Sequence, residues 1–529
     1  MANASVVARI FQRKSVGQIQ SEHEHGELKR SLGALNLVLL GIGCIIGTGI
    51  FVLTGQAAAQ YAGPGIMISF IITGTLCAFV ALCYAELASA LPVSGSAYSY
   101  TYASMGEGAA WIMGLLLVLE YGLAASVVAV GWSGYFTSLL HSMHLALPPA
   151  LTAAPGVAVK DAAGLVIATG VINLPAIGII GLVTLLLIRG VSESAAVNNV
   201  IVAIKLTVVI AFIVIGSRYV HPANWSPLVP AEIPAQPSGT NMDMPHQIWR
   251  ALVGVVTGDA SHKYGVAGVI HAAAVIFFAY LGFEAVSTAG AESRNPGKDM
   301  PIGILGALVI CTVLYIMTSA VLVGIVPYAL LDVPAPIALA ADTMHLPWFA
   351  ILVKIGAIAG LTSVMLVLLY GQTRIFYTMS RDGLLPTALA AVHKTFKTPW
   401  INTIIVGIAA MCAAGLMSLD ELANLANVGS LAAFALVCIT VIYLRRSNPD
   451  LVRPFRTPFF PVVPILGAVM CVILLMSLMS SHTTRNFFLI YLGGGIVIYF
   501  LYGIRKSKLG RGIVVEGHEA APMELPHQD

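Results

Sequence analysis

Apolar residues in this chain fall into long uninterrupted blocks of about 20. A helix needs that length to cross a ~30 Å hydrocarbon core. Twelve blocks can be drawn, at about residues 33–59, 66–91, 109–139, 165–188, 196–216, 266–289, 301–327, 347–373, 401–418, 424–444, 459–479 and 486–504. Backbone in lipid must satisfy its own hydrogen bonds, so each block is predicted to be a transmembrane helix. Barrel strands are shorter and alternate, and that pattern is not what these blocks show. Hydrophobic residues make up 58% of the chain and charged residues 10%, against about 25% charged in a soluble domain. The formal charge of +3 gives no footing for nucleic acid binding.

An even number of spans puts both ends on one side. Of the 27 Lys and Arg, twenty fall in segments on the side of the N-terminus and five on the other side; Lys205 and Lys354 lie within spans. Arg13–Lys14, Lys29–Arg30, Arg445–Arg446 and Arg505–Lys506 carry much of that asymmetry. The positive-inside rule then predicts a multi-pass protein of the plasma (inner) membrane with both termini cytoplasmic. The polar first 30 residues contain Glu22, Glu24 and Glu27 and give no signal peptide.

Two spans differ from the rest. Gly41, Gly43, Gly47 and Gly49 fall within nine residues of the first, and each glycine weakens a helix by roughly 1 kcal/mol. The sixth carries Gly282 in mid-span, followed by Phe283 and Glu284. Interrupted helices at matching places in two halves point to an inverted-repeat transporter with a site near the bilayer midplane. Half-helix N-termini attract anions and exposed carbonyl ends attract cations, which suits a zwitterionic amino acid. Glycines also serve close helix packing, and Gly43 and Gly47 have that spacing. A dinucleotide fingerprint is a poor fit, because the spacing is G-x-G-x-x-x-G with no strand before it. The seven cysteines lie in apolar blocks without a C-x-x-C pair. No catalytic grouping stands out, so no enzyme, cofactor or metal is expected.

At these residues the chain resembles a known family. Gly41 to Phe51 is similar to the first helix of the amino acid–polyamine–organocation superfamily. Phe277 to Pro301 resembles its sixth helix and the following loop, and Tyr370 to Pro386 the end of its eighth helix. The branch most resembled is the bacterial form of the cationic amino acid transporter family. The resemblance implies an all-α, LeuT-like fold of five-plus-five inverted repeats with two extra helices. Its parts would be a cytoplasmic tail (1–32), a first repeat (33–216), an extracytoplasmic loop (217–265), a second repeat (266–444), two further helices (445–504) and a second cytoplasmic tail (505–529). It further implies that Gly47, Thr48 and Gly49 offer N–H groups to a substrate carboxylate. Carbonyls of Ile45, Phe278, Ala279 and Leu281 would hold the ammonium. Sodium-coupled relatives of this fold place a cation where Gly43, Ile46, Thr362 and Ser363 stand here. Lys205 resembles the fifth-helix lysine that takes its place in proton-coupled relatives.

A charge inside the bilayer costs at least a few kcal/mol, so each ionisable residue there is a functional candidate. Lys205 lies too deep to snorkel, and an amine can take up and release a proton during a transport cycle. A static brace for the bundle is the other reading. Glu120, mid-span in the third block, resembles the third-helix glutamate of the cationic transporters and would contact substrate or share a proton; the other reading is a protonated packing residue. Glu86, Glu284 and Glu292 lie towards cytoplasmic ends, where an inner gate would pair them with Arg294, Arg374 or Arg381. Lys354 is expected to snorkel outward. The whole reads as a proton-coupled amino acid symporter working by alternating access, its partners a small amino acid, protons and the lipid bilayer. Amino acid exchange, and sensing without transport, are the alternative readings.

Overall fold

A computed structural model describes residues 9–14, 32–93, 96–160, 165–190, 195–233 and 263–512. Lys29–Arg30, most of the 217–265 loop and the end of the C-terminal tail lie outside the described residues. In chain order the helices are α1 (Ala34–Ile45), α2 (Ile66–Ala90), α3 (Ser96–Ser104), α4 (Glu107–Ser142), α5 (Leu174–Ile188), α6 (Ala195–Gly216) and α7 (Gly265–Ile276). They continue as α8 (Pro296–Ile325), α9 (Pro336–Thr343), α10 (Pro347–Arg381), α11 (Trp400–Leu416), α12 (Leu419–Ser447), α13 (Val462–Leu478) and α14 (His482–Ile498).

Among the described residues, eight helical stretches are long and apolar enough to cross a membrane. Four shorter apolar helices, α1, α5, α11 and α13, stand beside them. The expected first span divides at 46–48, and its second part runs on as π and α turns to Ala62 and into α2. One departure from an all-helical chain is a hairpin between α4 and α5, where β1 (Ala158–Lys160) pairs antiparallel with β2 (Val166–Thr169).

The helix starts follow local chemistry. Asn173 caps α5 by accepting from the Ala176 N–H at 3.2 Å, and Ser418 with Glu421 forms a reciprocal capping box at α12. Proline occupies the first turn of α5, α8, α9 and α10, where its missing N–H costs nothing. Arg445 and Arg446 close α12 and complement its dipole. Small residues let the helices approach. Gly41 of α1 faces Ala307 of α8, and Gly303 of α8 faces Leu37 of α1, the close packing that membrane helices use in place of a hydrophobic drive. Large apolar side chains such as Leu185, Val313 and Ile490 are exposed, as expected of a surface that meets lipid. The described ends meet on one face, where the Gln12 side chain donates to the Leu509 carbonyl at 3.1 Å.

Candidate functional site

The glycine-rich motif breaks its helix. Helix α1 ends at Ile45, and Ile46 is extended (φ −72°, ψ 96°). A π turn restarts at Gly49. The second break follows α7. A 3₁₀ turn covers Phe277–Tyr280, Leu281 is extended (ψ 134°), Gly282 takes φ +115°, and a further 3₁₀ stretch spans Glu284–Glu292. The two breaks touch. A Cβ on Gly49 would collide with the Ala279 backbone, and one on Gly282 would come within 2.8 Å of the Cys44 carbonyl carbon. Glycine is required at both crossings, by close approach at one and by approach plus a left-handed φ at the other. The two breaks therefore meet at one place.

Unwound backbone inside a membrane must find other partners. The Tyr315 hydroxyl of α8 lies 2.8 Å from the Ile45 carbonyl oxygen and 2.9 Å from that of Ala279, one from each break. The Asn427 amide of α12 donates to the carbonyls of Ala274 (3.0 Å) and Val275 (2.8 Å). Thr73 donates to Ala273 and Tyr135 to Phe51. Tyr315 and Asn427 did not stand out in the sequence. The available signal was weak: a polar group in an apolar span, which needs a partner.

Gly47, Thr48 and Gly49 stand where a helix restarts, the place where N–H groups lack intrahelical acceptors. The Thr48 hydroxyl is buried without a hydrogen-bond partner, and it packs against Gly131 of α4. The Phe278 carbonyl accepts from the Leu281 N–H at 3.2 Å. Beside the breaks lies a small cavity lined by Cys44, Tyr121, Gly282, Glu284 and Val364.

Lys205 is fully buried, and its ammonium donates to the Gly43 carbonyl at 2.8 Å, just before the first break. Its side chain runs across Gly360 of α10. Ser363 is buried on the same helix, three residues on. Thr362 faces elsewhere: its hydroxyl accepts from the Trp132 indole at 3.0 Å and donates to the Ile358 carbonyl. Ile46 is the extended residue of the break itself.

Neither carboxyl oxygen of Glu120 makes a hydrogen bond of good geometry, although the residue is only 1% exposed; the Ser430 hydroxyl beside it donates to the Ala426 carbonyl instead. Such orphans are rare and call for an explanation. Its neighbour Tyr121 donates to Glu284 at 3.4 Å.

The expected gate pairs are not the observed ones. Glu284 is buried at the second break, where its carboxyl accepts from the Gly282 N–H at 2.8 Å. Glu86 pairs with Arg445 (2.8 and 2.6 Å), with Arg453 at 3.5 Å, and accepts from the Thr457 N–H at 2.7 Å. Arg445 reaches Glu86 from the last turn of α12, and the loop that follows brings Arg453 and Thr457. Arg374 lies over the Tyr370 ring and Arg381 over Tyr377. Glu292 and Arg294 act through their backbone, bracketing Leu32 at the foot of α1 (3.1 and 2.9 Å). On this face, Asp382 instead accepts from Lys14 at 2.7 Å and Tyr98 at 2.8 Å, both buried. Lys354 does not snorkel; it is 2% exposed and pairs with Asp342 of α9 at 2.9 Å.

Comparison with known proteins bears on what such a site handles. A family profile described as amino acid permease matches residues 32–501. The chain is 45% identical to the methylthioribose transporter of Bacillus subtilis (strain 168), over 96% of this chain and 100% of that protein. It is also 45% identical to the branched-chain amino acid permease BcaP of the same organism, over 95% and 99%. Identity to the vacuolar cationic amino acid transporter 4 of Arabidopsis thaliana is 34%, over 84% and 68%.

Proposed function

This chain belongs to the amino acid permease family, and from that membership we propose that it carries an α-amino acid across the plasma membrane together with a proton. It is an amino-acid-type transporter and not an enzyme. The observation that carries the reading is the contact between the two breaks at Gly49–Ala279 and Gly282–Cys44. There, helix-start N–H groups suit a carboxylate, and the carbonyls of Ile45, Phe278, Ala279 and Leu281 suit an ammonium. Backbone atoms read only the part common to all α-amino acids. The side chain is then selected by what surrounds them, and Glu120 is one such group. In this scheme both termini are cytoplasmic, and the helices of the two breaks rock against a scaffold. Lys205, on the Gly43 carbonyl, gains and loses its proton as the site changes face.

A methylthio sugar is the second reading. It is favoured by the buried Glu120 carboxyl, which makes no hydrogen bond of good geometry and suits sugar hydroxyls, and by the first relative's name. The test is uptake into proteoliposomes under an inward proton gradient of labelled alanine, leucine, arginine and methylthioribose. Accumulation of an amino acid supports the proposal. Accumulation of methylthioribose alone would overturn it. Uptake of amino acids driven only by internal amino acid would replace symport with exchange.

A further inference from the structure

The Tyr315 hydroxyl oxygen lies within 2.9 Å of two carbonyl oxygens that belong to different breaks. Its single proton can serve only one of them at a time. Each carbonyl keeps a further lone pair, so the hydroxyl fixes the aim of both without exhausting either. The ring is held from the other side. Tyr315 is fully buried on α8, with Phe70 and Tyr280 rings 5.5 Å from its own. The Tyr280 hydroxyl donates to the Phe70 carbonyl at 3.0 Å and does not touch either break-point carbonyl that Tyr315 holds. A continuous helix thus presents one donor to two unwound segments and ties their orientation together.

We propose that Tyr315 is a positioning residue for the substrate's ammonium group: it makes the Ile45 and Ala279 carbonyls converge, and so determines how many N–H donors a substrate must offer. The proposal rests on the amino acid reading above. Converging carbonyls demand a centre with several N–H donors, which a primary ammonium has. N-methylation removes one donor and adds bulk at that point. With Tyr315→Phe the two carbonyls lose their common donor and are free to turn apart. The site then discriminates less between an amino acid and its N-methyl derivative.

The experiment measures KM and Vmax in proteoliposomes for the amino acid that wild type takes up best among alanine, leucine and arginine, and for its N-methyl derivative. The variants are Tyr315→Phe and, as a control that also loses a tyrosine-to-carbonyl hydrogen bond but away from the breaks, Tyr491→Phe, whose hydroxyl donates to the Leu115 carbonyl at 2.8 Å. The expected result for Tyr315→Phe is a KM for the primary amine raised about tenfold, the scale of one lost hydrogen bond. The preference over the N-methyl derivative falls by a similar factor. Tyr491→Phe leaves that preference unchanged. If Tyr315→Phe yields too little folded protein, a ring-fluorinated tyrosine at 315, a stronger donor, replaces it and is expected to raise the preference. An unchanged preference in folded Tyr315→Phe, or in the fluorinated protein, overturns the proposal and leaves Tyr315 a packing residue. Failure of wild type to take up any of the three amino acids would refute the amino acid reading instead.

Discussion

Substituting Gly282 by alanine tests the interlocked breaks directly. At φ +115° a non-glycine residue costs about 1–3 kcal/mol in backbone strain. The new Cβ would lie 2.8 Å from the carbonyl carbon and the Cβ of Cys44, and 2.9 Å from its carbonyl oxygen. Two of those three atoms are backbone and cannot rotate away, so overpacking adds about 1–3 kcal/mol. The total is roughly 2–6 kcal/mol. If the break relieves that strain by moving, the loss appears in the site, and even 2 kcal/mol corresponds to roughly 30-fold in affinity. The same mutation also disturbs the Gly282 N–H that holds Glu284. Gly494→Ala on α14 is the control, because a Cβ there meets nothing within 4 Å and alanine favours a helix by about 1 kcal/mol over glycine. Substrate affinity and thermal unfolding are measured for both proteins. Gly282→Ala is expected to lose most binding, and Gly494→Ala none. Wild-type affinity and unfolding temperature in Gly282→Ala would refute the interlocked geometry.

Other consequences follow from the buried charges. Glu86→Ala leaves Arg445 and Arg453 without their carboxylate; because the Arg445 side chain is 19% exposed, the cost should fall at the lower end, about 3 kcal/mol. A double-mutant cycle with Arg445→Ala, read by thermal unfolding, should show the two losses sharing at least ~1 kcal/mol; full additivity would deny the pair. Asp382→Ala removes the acceptor of Lys14 and Tyr98, so hydrogen exchange at residues 9–14 should quicken at least tenfold; unchanged protection would mean other contacts hold that segment. Lys354→Met should change stability by no more than ~1 kcal/mol, since its partner Asp342 is half exposed; a larger loss on unfolding would show that the pair is effectively buried.

The sequence makes the break positions legible because the cause is local. Gly47, Gly49 and Gly282 weaken helix where they stand, and the structure departs from helix at 46–48 and at 281–283. That Lys205 would need a partner was also legible, from depth alone, and the resemblance named Gly43. Partners that arise only when helices cross were not. Tyr315 and Asn427 bond to carbonyls that exist as acceptors only after the helix opens, and an unbroken helix would hide them. The observed partners of Glu86 were hidden for a similar reason. Glu86 looked for an arginine on the loops after the sixth and eighth spans, but the last turn of α12 brings Arg445 and the loop after it brings Arg453. Sequence distance between Glu86 and Arg445 gives no hint of that. Lys354 was misread because α9, a short helix in a loop, supplies Asp342 where water was expected.

Lys205, seated on the Gly43 carbonyl, is proposed to couple proton movement to substrate movement. The direct measurement is uptake of a labelled amino acid into proteoliposomes, with and without an inward proton gradient, for wild type and Lys205→Ala. The gradient is expected to drive accumulation in wild type, and Lys205→Ala, still folded and still binding substrate, is expected to gain nothing from it. Gradient-driven accumulation that survives in Lys205→Ala, or wild-type uptake that ignores the gradient and responds only to internal amino acid, would contradict it.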